Sequence, residues 1–207
     1  MLVSWKRKSF VMVLLLGARG LVAGPSQAQV GQPSPGMGIP DNGSIVGDTS
    51  ALAREAQNWL VELLKIDTTN PPGNEQAAAK YIADILTKEG ATPELLDVAP
   101  GRSAVVARLR SSVVADPSRA LLLVAHMDVV GVDKSKWSVD PFGGVIKDGY
   151  LYGRGALDDK SMLVANLAAF IAVKRGNVHI NRNVIFLTTT NKKQFNNASL
   201  KVLITKY

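Results

Sequence analysis

His126 and Asp128 close the apolar run Leu121-Leu122-Leu123-Val124-Ala125 and stand two positions apart. At strand period they share a face, so the carboxylate can hold one imidazole nitrogen while the other turns toward a metal ion. Asp158 follows Gly153-Arg154-Gly155, where glycine lets the backbone approach a ligand closely, and precedes a helical pattern. Imidazole and carboxylate donors in a chain without cysteine suit zinc or a similar divalent ion. A phosphate loop is the competing reading of the glycines, but Asp158 stands where a dinucleotide fingerprint requires glycine.

Four stretches in order extend this pattern: Ile66-Asp67-Thr68-Thr69-Asn70-Pro71-Pro72-Gly73-Asn74-Glu75; His126-Met127-Asp128; Trp137 with Pro141-Phe142-Gly143-Gly144; and Asp148-Gly149-Tyr150-Leu151-Tyr152-Gly153-Arg154-Gly155. In order and spacing they resemble the zinc-dependent metallopeptidases of the ArgE/DapE, aminoacylase and carboxypeptidase G type. The resemblance runs from about Ala51 to Tyr207 and implies the N-terminal part of a catalytic domain.

The resemblance also implies roles. Two zinc ions would share a bridging carboxylate, which falls on Asp158. His126 would be a ligand of one ion and Asp128 would orient that histidine. The peptide between Asp158 and Asp159 is expected to be cis. After the strand at Val184 to Thr190 such enzymes carry an acidic run that supplies a general base and a further ligand, and here it reads Asn191-Lys192-Lys193. Lys192 occupies the general-base position and Lys193 the ligand position. A protonated lysine has no acceptor, and an ammonium repels a metal ion, so neither is competent. The remaining ligands and the lid or dimerisation domain of the family fall beyond Tyr207. Two ligands make a weak zinc site at most. The other histidine, His179, falls in a polar turn and reads as a surface residue.

The elements that must position these groups are visible as periodicity. Leu52, Ala56, Trp59, Leu60, Leu63 and Leu64 recur at helical spacing, with Trp59 on the core stripe. Pro71-Pro72-Gly73 breaks the chain, and a second helix runs through Ala78, Tyr81, Ile82, Ile85 and Leu86 to a stop at Gly90. Strands are predicted at 94–98, 104–109 and 120–125, a loop and hairpin between Val130 and Tyr152, a third helix after Asp158 ending near Arg175-Gly176, and a strand over 184–190. If the third helix is a crossover, the strands at 120–125 and 184–190 are parallel and end at one sheet edge. The chain after Thr190 is then expected beside His126 and Asp158. The fold class is α/β, a mixed, largely parallel sheet with helices on both faces, incomplete.

The start of the chain carries a different message. Lys6, Arg7 and Lys8 precede an apolar run from Phe10 to Ala18, and Ser26-Gln27-Ala28 has the small-x-small form of a cleavage site. Residues 1–28 read as a signal peptide, with a signal anchor or a cytoplasmic tail as the alternative, and residues 29–49, rich in Gly, Pro, Ser, Gln and Asn, as a flexible linker. An exported protein, periplasmic or extracellular, with no membrane attachment after cleavage, is the expectation. Of the net charge of +7, Lys6, Arg7, Lys8 and Arg19 contribute four, leaving +3 for the rest. Without aromatic interleaving or a known module, that residue of positive charge gives no case for nucleic acid.

These features make residues 50–207 the N-terminal part of a metallopeptidase catalytic domain, without its lid domain and C-terminal half. By resemblance the intact relative hydrolyses an amide next to a free carboxylate in a small peptide or N-acyl amino acid, with a dimer possible. The chain as written is expected to be inactive. The alternative is a non-catalytic remnant that binds a peptide or a metal.

Overall fold

The structure is a computed structural model and describes residues 3–4, 49–113 and 119–191. The signal-peptide and linker readings, together with Lys192 and Lys193, lie outside the described residues, apart from Val3, Ser4 and Thr49.

In chain order the elements are β1 (Val3–Ser4), α1 (Thr49–Lys65), α2 (Glu75–Lys88), β2 (Glu94–Ala99), β3 (Arg102–Leu109), β4 (Leu121–His126), a 3-10 turn (Lys134–Lys136), β5 (Val145–Lys147), β6 (Tyr150–Tyr152), α3 (Lys160–Arg175) and β7 (Val184–Thr189). Each expected helix and strand of the catalytic part is present within a few residues of its expected bounds. α2 stops where the sequence placed its stop: Gly90 takes φ +69° and Ala91 N–H donates to the Leu86 carbonyl at 2.9 Å, a Schellman-type closure.

The main sheet has the order β2-β3-β7-β4. β4 and β7 are parallel, in register from Leu121 beside Val184 to His126 beside Thr189. The two other pairings, β2 with β3 and β3 with β7, are antiparallel. The sheet is mixed, as expected, but its parallel part is the single β4–β7 pair, because β2 and β3 join through the tight turn at Pro100-Gly101 and not through a helix. β5 and β6 form a separate antiparallel hairpin, with β1 paired to β6.

Helices lie against one face of this sheet among the described residues, where both faces were expected to be covered. Leu60, Leu63 and Leu64 of α1, Ile82 and Leu86 of α2, and Leu163, Leu167 and Ile171 of α3 share one cluster with Val105 and Ala107 of β3 and Phe186 of β7. Phe170 and Phe186, both fully buried, meet at a ring-centroid distance of 5.9 Å and tie the crossover helix to the strand that follows it. Burying each such ring stabilises the fold by roughly 1.5–3 kcal/mol. The opposite face holds a smaller cluster of Leu96, Ala104 and Val106 with Ile185 against it. At its edge, Leu122 and Val124 of β4 are about half exposed.

Candidate active site

Parallel pairing brings the ends of β4 and β7 to one edge of the sheet. Beyond the strands the pairing continues, with Met127 N–H donating to the Thr189 carbonyl at 2.9 Å. The Thr68-Thr69-Asn70 stretch then runs alongside Met127-Asp128-Val129: Thr68 Oγ1 donates to the Met127 carbonyl (2.6 Å), Val129 N–H to the Thr68 carbonyl (3.0 Å) and Asn70 N–H to the Val129 carbonyl (2.9 Å). Asp128 therefore leaves the strand end with its backbone fixed on both sides.

Its side chain is fixed as well. Asp128 Oδ1 lies 2.9 Å from His126 Nδ1, and its Oδ2 accepts from Asn70 Nδ2 at 3.2 Å. The other imidazole nitrogen, Nε2, is 3.2 Å from Asp158 Oδ1. Asp159 Oδ2 accepts from the His126 backbone N–H at 3.2 Å. Burial pulls the His126 imidazole down, but the hydrogen bond to Asp128, the charges of Asp159 and Asp128 and the bond to Asp158 outweigh it and raise its pKa above the ordinary histidine value. His126 and Asp128 are both nearly enclosed, whereas the Asp158 side chain is 56% exposed.

Asp158 is carried by the turn before α3, and its peptide to Asp159 is cis, as the resemblance implied. Gly155 takes φ +87°, and a Cβ there would meet Val129 Cγ1 at 2.6 Å, so the turn packs onto the β4 exit as only glycine permits. Lys160, fully buried in the first turn of α3, donates from Nζ to the carbonyls of Leu63 (2.9 Å) and Ile66 (2.8 Å) at the end of α1. Burial lowers its pKa to about 8, against the opposing charge of Asp67. It closes the orphan carbonyls of one helix and fixes the start of another.

On the β7 side, Arg102 makes a two-pronged contact with the fully buried Glu75, Nε to Oε2 at 2.7 Å and Nη2 to Oε1 at 3.0 Å. The same Nη2 donates to the Thr190 carbonyl at 2.8 Å. Arg102 thus sets where the chain goes as it leaves β7, and Asn191 lines one cavity with His126, Asp128 and Asp158, as the crossover argument expected. That cavity has a volume of about 500 Å³.

The structure brings together His126, Asp128 and Asp158, the three candidates within the described residues. His179 is exposed and away from the cavity lining, in keeping with its reading as a surface residue. Asn70, Glu75, Arg102 and Lys160 were not singled out for roles. Lys160 carried a signal, since a lysine in the first turn of a helix opposes the helix dipole and must have another reason to be there.

Residues 122–191 match the model of Peptidase family M20/M25/M40. This stretch is an M20 peptidase segment. A probable succinyl-diaminopimelate desuccinylase of Staphylococcus epidermidis is 31% identical over 135 residues, which are 65% of this chain and 32% of that protein. An M20 family metallo-carboxypeptidase of Sulfolobus solfataricus has 31% sequence identity and a TM-score of 0.57, over 66% of this chain and 30% of that one. A Bacillus subtilis protein described as a dinuclear metal binding peptidase of the M20 family shares the fold at 15% identity and a TM-score of 0.54, over 75% of this chain and 40% of that one. The chain spans about a third of the length of the curated relatives it matches. The described residues have an α/β fold similar to the M20 peptidase structures, and the M20 peptidases are metal-dependent.

His126 Nε2 and Asp158 Oδ1 lie 3.2 Å apart, near enough to serve one ion, and with the Nδ1 proton directed at Asp128 the Nε2 lone pair is left for a ligand role. Among the described residues no group of three or more His, Cys, Asp or Glu side chains forms a metal site. The residues present fit as two ligands of a divalent ion.

Proposed function

We propose that this chain is the N-terminal, metal-binding part of a zinc-dependent exopeptidase or amidohydrolase of carboxypeptidase or N-acyl-amino-acid deacylase type. It acts in the whole protein on an amide bond next to a free carboxylate. The observation that carries this reading is the Asn70–Asp128–His126–Asp158 chain of contacts, which holds an imidazole with one nitrogen occupied and the other facing an exposed carboxylate. The desuccinylase and carboxypeptidase relatives support the two substrate types.

A divalent ion, when bound, supplies Lewis-acid polarisation of the amide carbonyl. His126 and Asp158 would hold the ion, with Asp128 fixing the tautomer. Lys192 and Lys193, in the general-base and ligand positions of the resemblance, provide neither an acceptor nor a ligand while protonated. The proposal therefore includes that the 207-residue chain by itself hydrolyses nothing and binds zinc weakly. Export of the protein by the basic and apolar leader, to the periplasm or the extracellular space, belongs to the same proposal.

The test is a calorimetric zinc titration of the purified chain beside its H126A and D158N variants, with an assay for amino acid release from an N-acyl amino acid and a dipeptide. Weak binding of at most one ion, abolished in both variants, and no release are the expected results. Zinc binding that survives both substitutions would overturn the ligand assignment, and zinc-dependent release by the chain would overturn its inactivity. A peptide- or metal-binding remnant is the second reading. Retained peptide binding without turnover, in a chain shown to be the complete gene product, would favour it.

A further inference from the structure

Asn70 reaches the site from the connection between α1 and α2. Its backbone N–H donates to the Val129 carbonyl at 2.9 Å, and Thr69 and Val129 form a parallel bridge. The residue is therefore fixed against the exit of β4 before its side chain makes any contact. Its Nδ2 then donates to Asp128 Oδ2 at 3.2 Å, from a place in the lining of the cavity that His126 and Asp158 share.

What this contact decides lies one residue further on. The neutral imidazole of His126 carries a single proton, and both of its nitrogens face acceptors. Nδ1 has Asp128 Oδ1 at 2.9 Å and the Asp128 carbonyl at 3.1 Å, while Nε2 has Asp158 Oδ1 at 3.2 Å. Two carboxylates thus compete for one proton, and only the Nδ1–H tautomer leaves the Nε2 lone pair for a ligand. The competitors are held unequally, for the Asp158 side chain is 56% exposed and that of Asp128 12%. Asp128 also stands in the field of a cation. The bond to Glu75 raises the pKa of Arg102 against its burial, and the charges of Glu75 and Asp128 add to it. A carboxylate free to turn would share itself between that guanidinium and the imidazole. Asn70 donates to Oδ2, and this leaves Oδ1 facing Nδ1.

We propose that Asn70 is a positioning residue: by pinning Asp128 Oδ2 it keeps Oδ1 on Nδ1, and so settles which nitrogen of His126 is left for the metal. This rests on the metal-site reading given above and adds to it a residue that acts only through Asp128. The α1–α2 connection thereby becomes part of the site, although it supplies no ligand.

The test is read first without metal. In EDTA, at an alkaline pH where the ring is neutral, long-range proton–nitrogen NMR of the isotope-labelled intact chain reports the His126 tautomer, with N70A, N70D and D128A alongside. The unsubstituted chain should hold mostly Nδ1–H. That excess should fall about tenfold in N70A, which loses a hydrogen bond to a carboxylate. It should fall further in N70D, which keeps the shape but sets a second carboxylate against Asp128. In a D128A background N70A should change nothing, which separates positioning from a general loss of structure. Zinc affinity should then be about tenfold weaker in N70A than in the parent. An unsubstituted chain without an excess of Nδ1–H, an unchanged ratio in N70A, or an equal effect of N70A in the D128A background overturns the proposal. Should N70A fail to fold by circular dichroism, the ratio in the isosteric N70D decides. If the tautomer responds as expected but H126A and D158N fail the zinc test, Asn70 still positions Asp128 and the metal reading alone falls.

Discussion

Two arginine clusters lie at opposite ends of α2, one at Glu75 and one at Glu89, and they differ in what surrounds them. At the site end, Arg102 meets a Glu75 that is fully buried and a backbone carbonyl of the chain leaving β7. At the far end, Arg175 of α3 makes bonds to Glu55 of α1 and to Glu89, the C-cap of α2, with the arginine itself 38% exposed. Both clusters use the arginine fork on carboxylates, yet only the first has exchanged water for protein. Breaking a buried pair strands a charge that solvent cannot reach, whereas a broken surface pair is re-solvated. The site end should therefore behave as a rigid frame and the far end as an adjustable clasp.

The largest effect expected from this difference is at Arg102. The R102M variant should lose about 3–5 kcal/mol in urea unfolding, because Glu75 is left buried and unpaired. Replacing both partners, as E75M with R102M, should recover a large part of that loss. If R102M costs no more than a surface substitution, the contrast between the two ends fails.

Lys160 sharpens the comparison at the site end with a different chemistry. K160M should destabilise the chain by about 1–3 kcal/mol by stripping the Leu63 and Ile66 carbonyls of their donor. Hydrogen exchange at the last turn of α1 should speed up in this variant before it does elsewhere. Unchanged exchange there would show that the lysine is not the group closing α1.

The smallest effect belongs to Arg175. R175M should cost about 0.5–1 kcal/mol and should cost less at high salt. Its signature is in acid. The hydrogen bond from Arg175 holds the Glu89 carboxyl below its usual value against the opposing effect of burial, with the charges of Arg175 and Lys174 adding to it. Stability from a depressed carboxyl is present above its unfolded value and is lost as pH falls through its folded value. A plot of stability against pH should therefore fall less steeply in R175M than in the parent over that acid range. Parallel curves for the two proteins would assign the acid sensitivity to another group.

The pieces of the site that the sequence revealed are those whose partners are close along the chain or follow from a crossover. His126 and Asp128 are two residues apart, and Asn191 falls beside them because β7 is parallel to β4. Asp158 came from the glycine turn and the resemblance together. The Arg102 bonds were hidden because their partners lie at Glu75 and Thr190, and no periodicity relates the three. Asn70 was hidden for the same reason, since nothing local announces that an amide in a Pro-Pro turn will reach a carboxylate on another element. The mixed sheet was legible from two helices followed by successive strands, but its share of parallel pairing was not, because only the tight turn at Pro100-Gly101 makes β2 and β3 a hairpin. Of the two faces expected to carry helices, the described residues show them on one.

The order β2-β3-β7-β4 has a consequence for how the chain comes off the ribosome. β7, the strand that β3 and β4 both pair with, is the last of the four to be made. At about 5–20 residues per second, roughly 3 to 12 seconds pass between completion of β4 and arrival of β7. Through that interval the nascent chain holds a hairpin and a lone apolar strand whose common neighbour has not yet been translated. The keystone of this sheet is its latest arrival, and until it emerges the strands around it depend on being kept apart from strands of other chains.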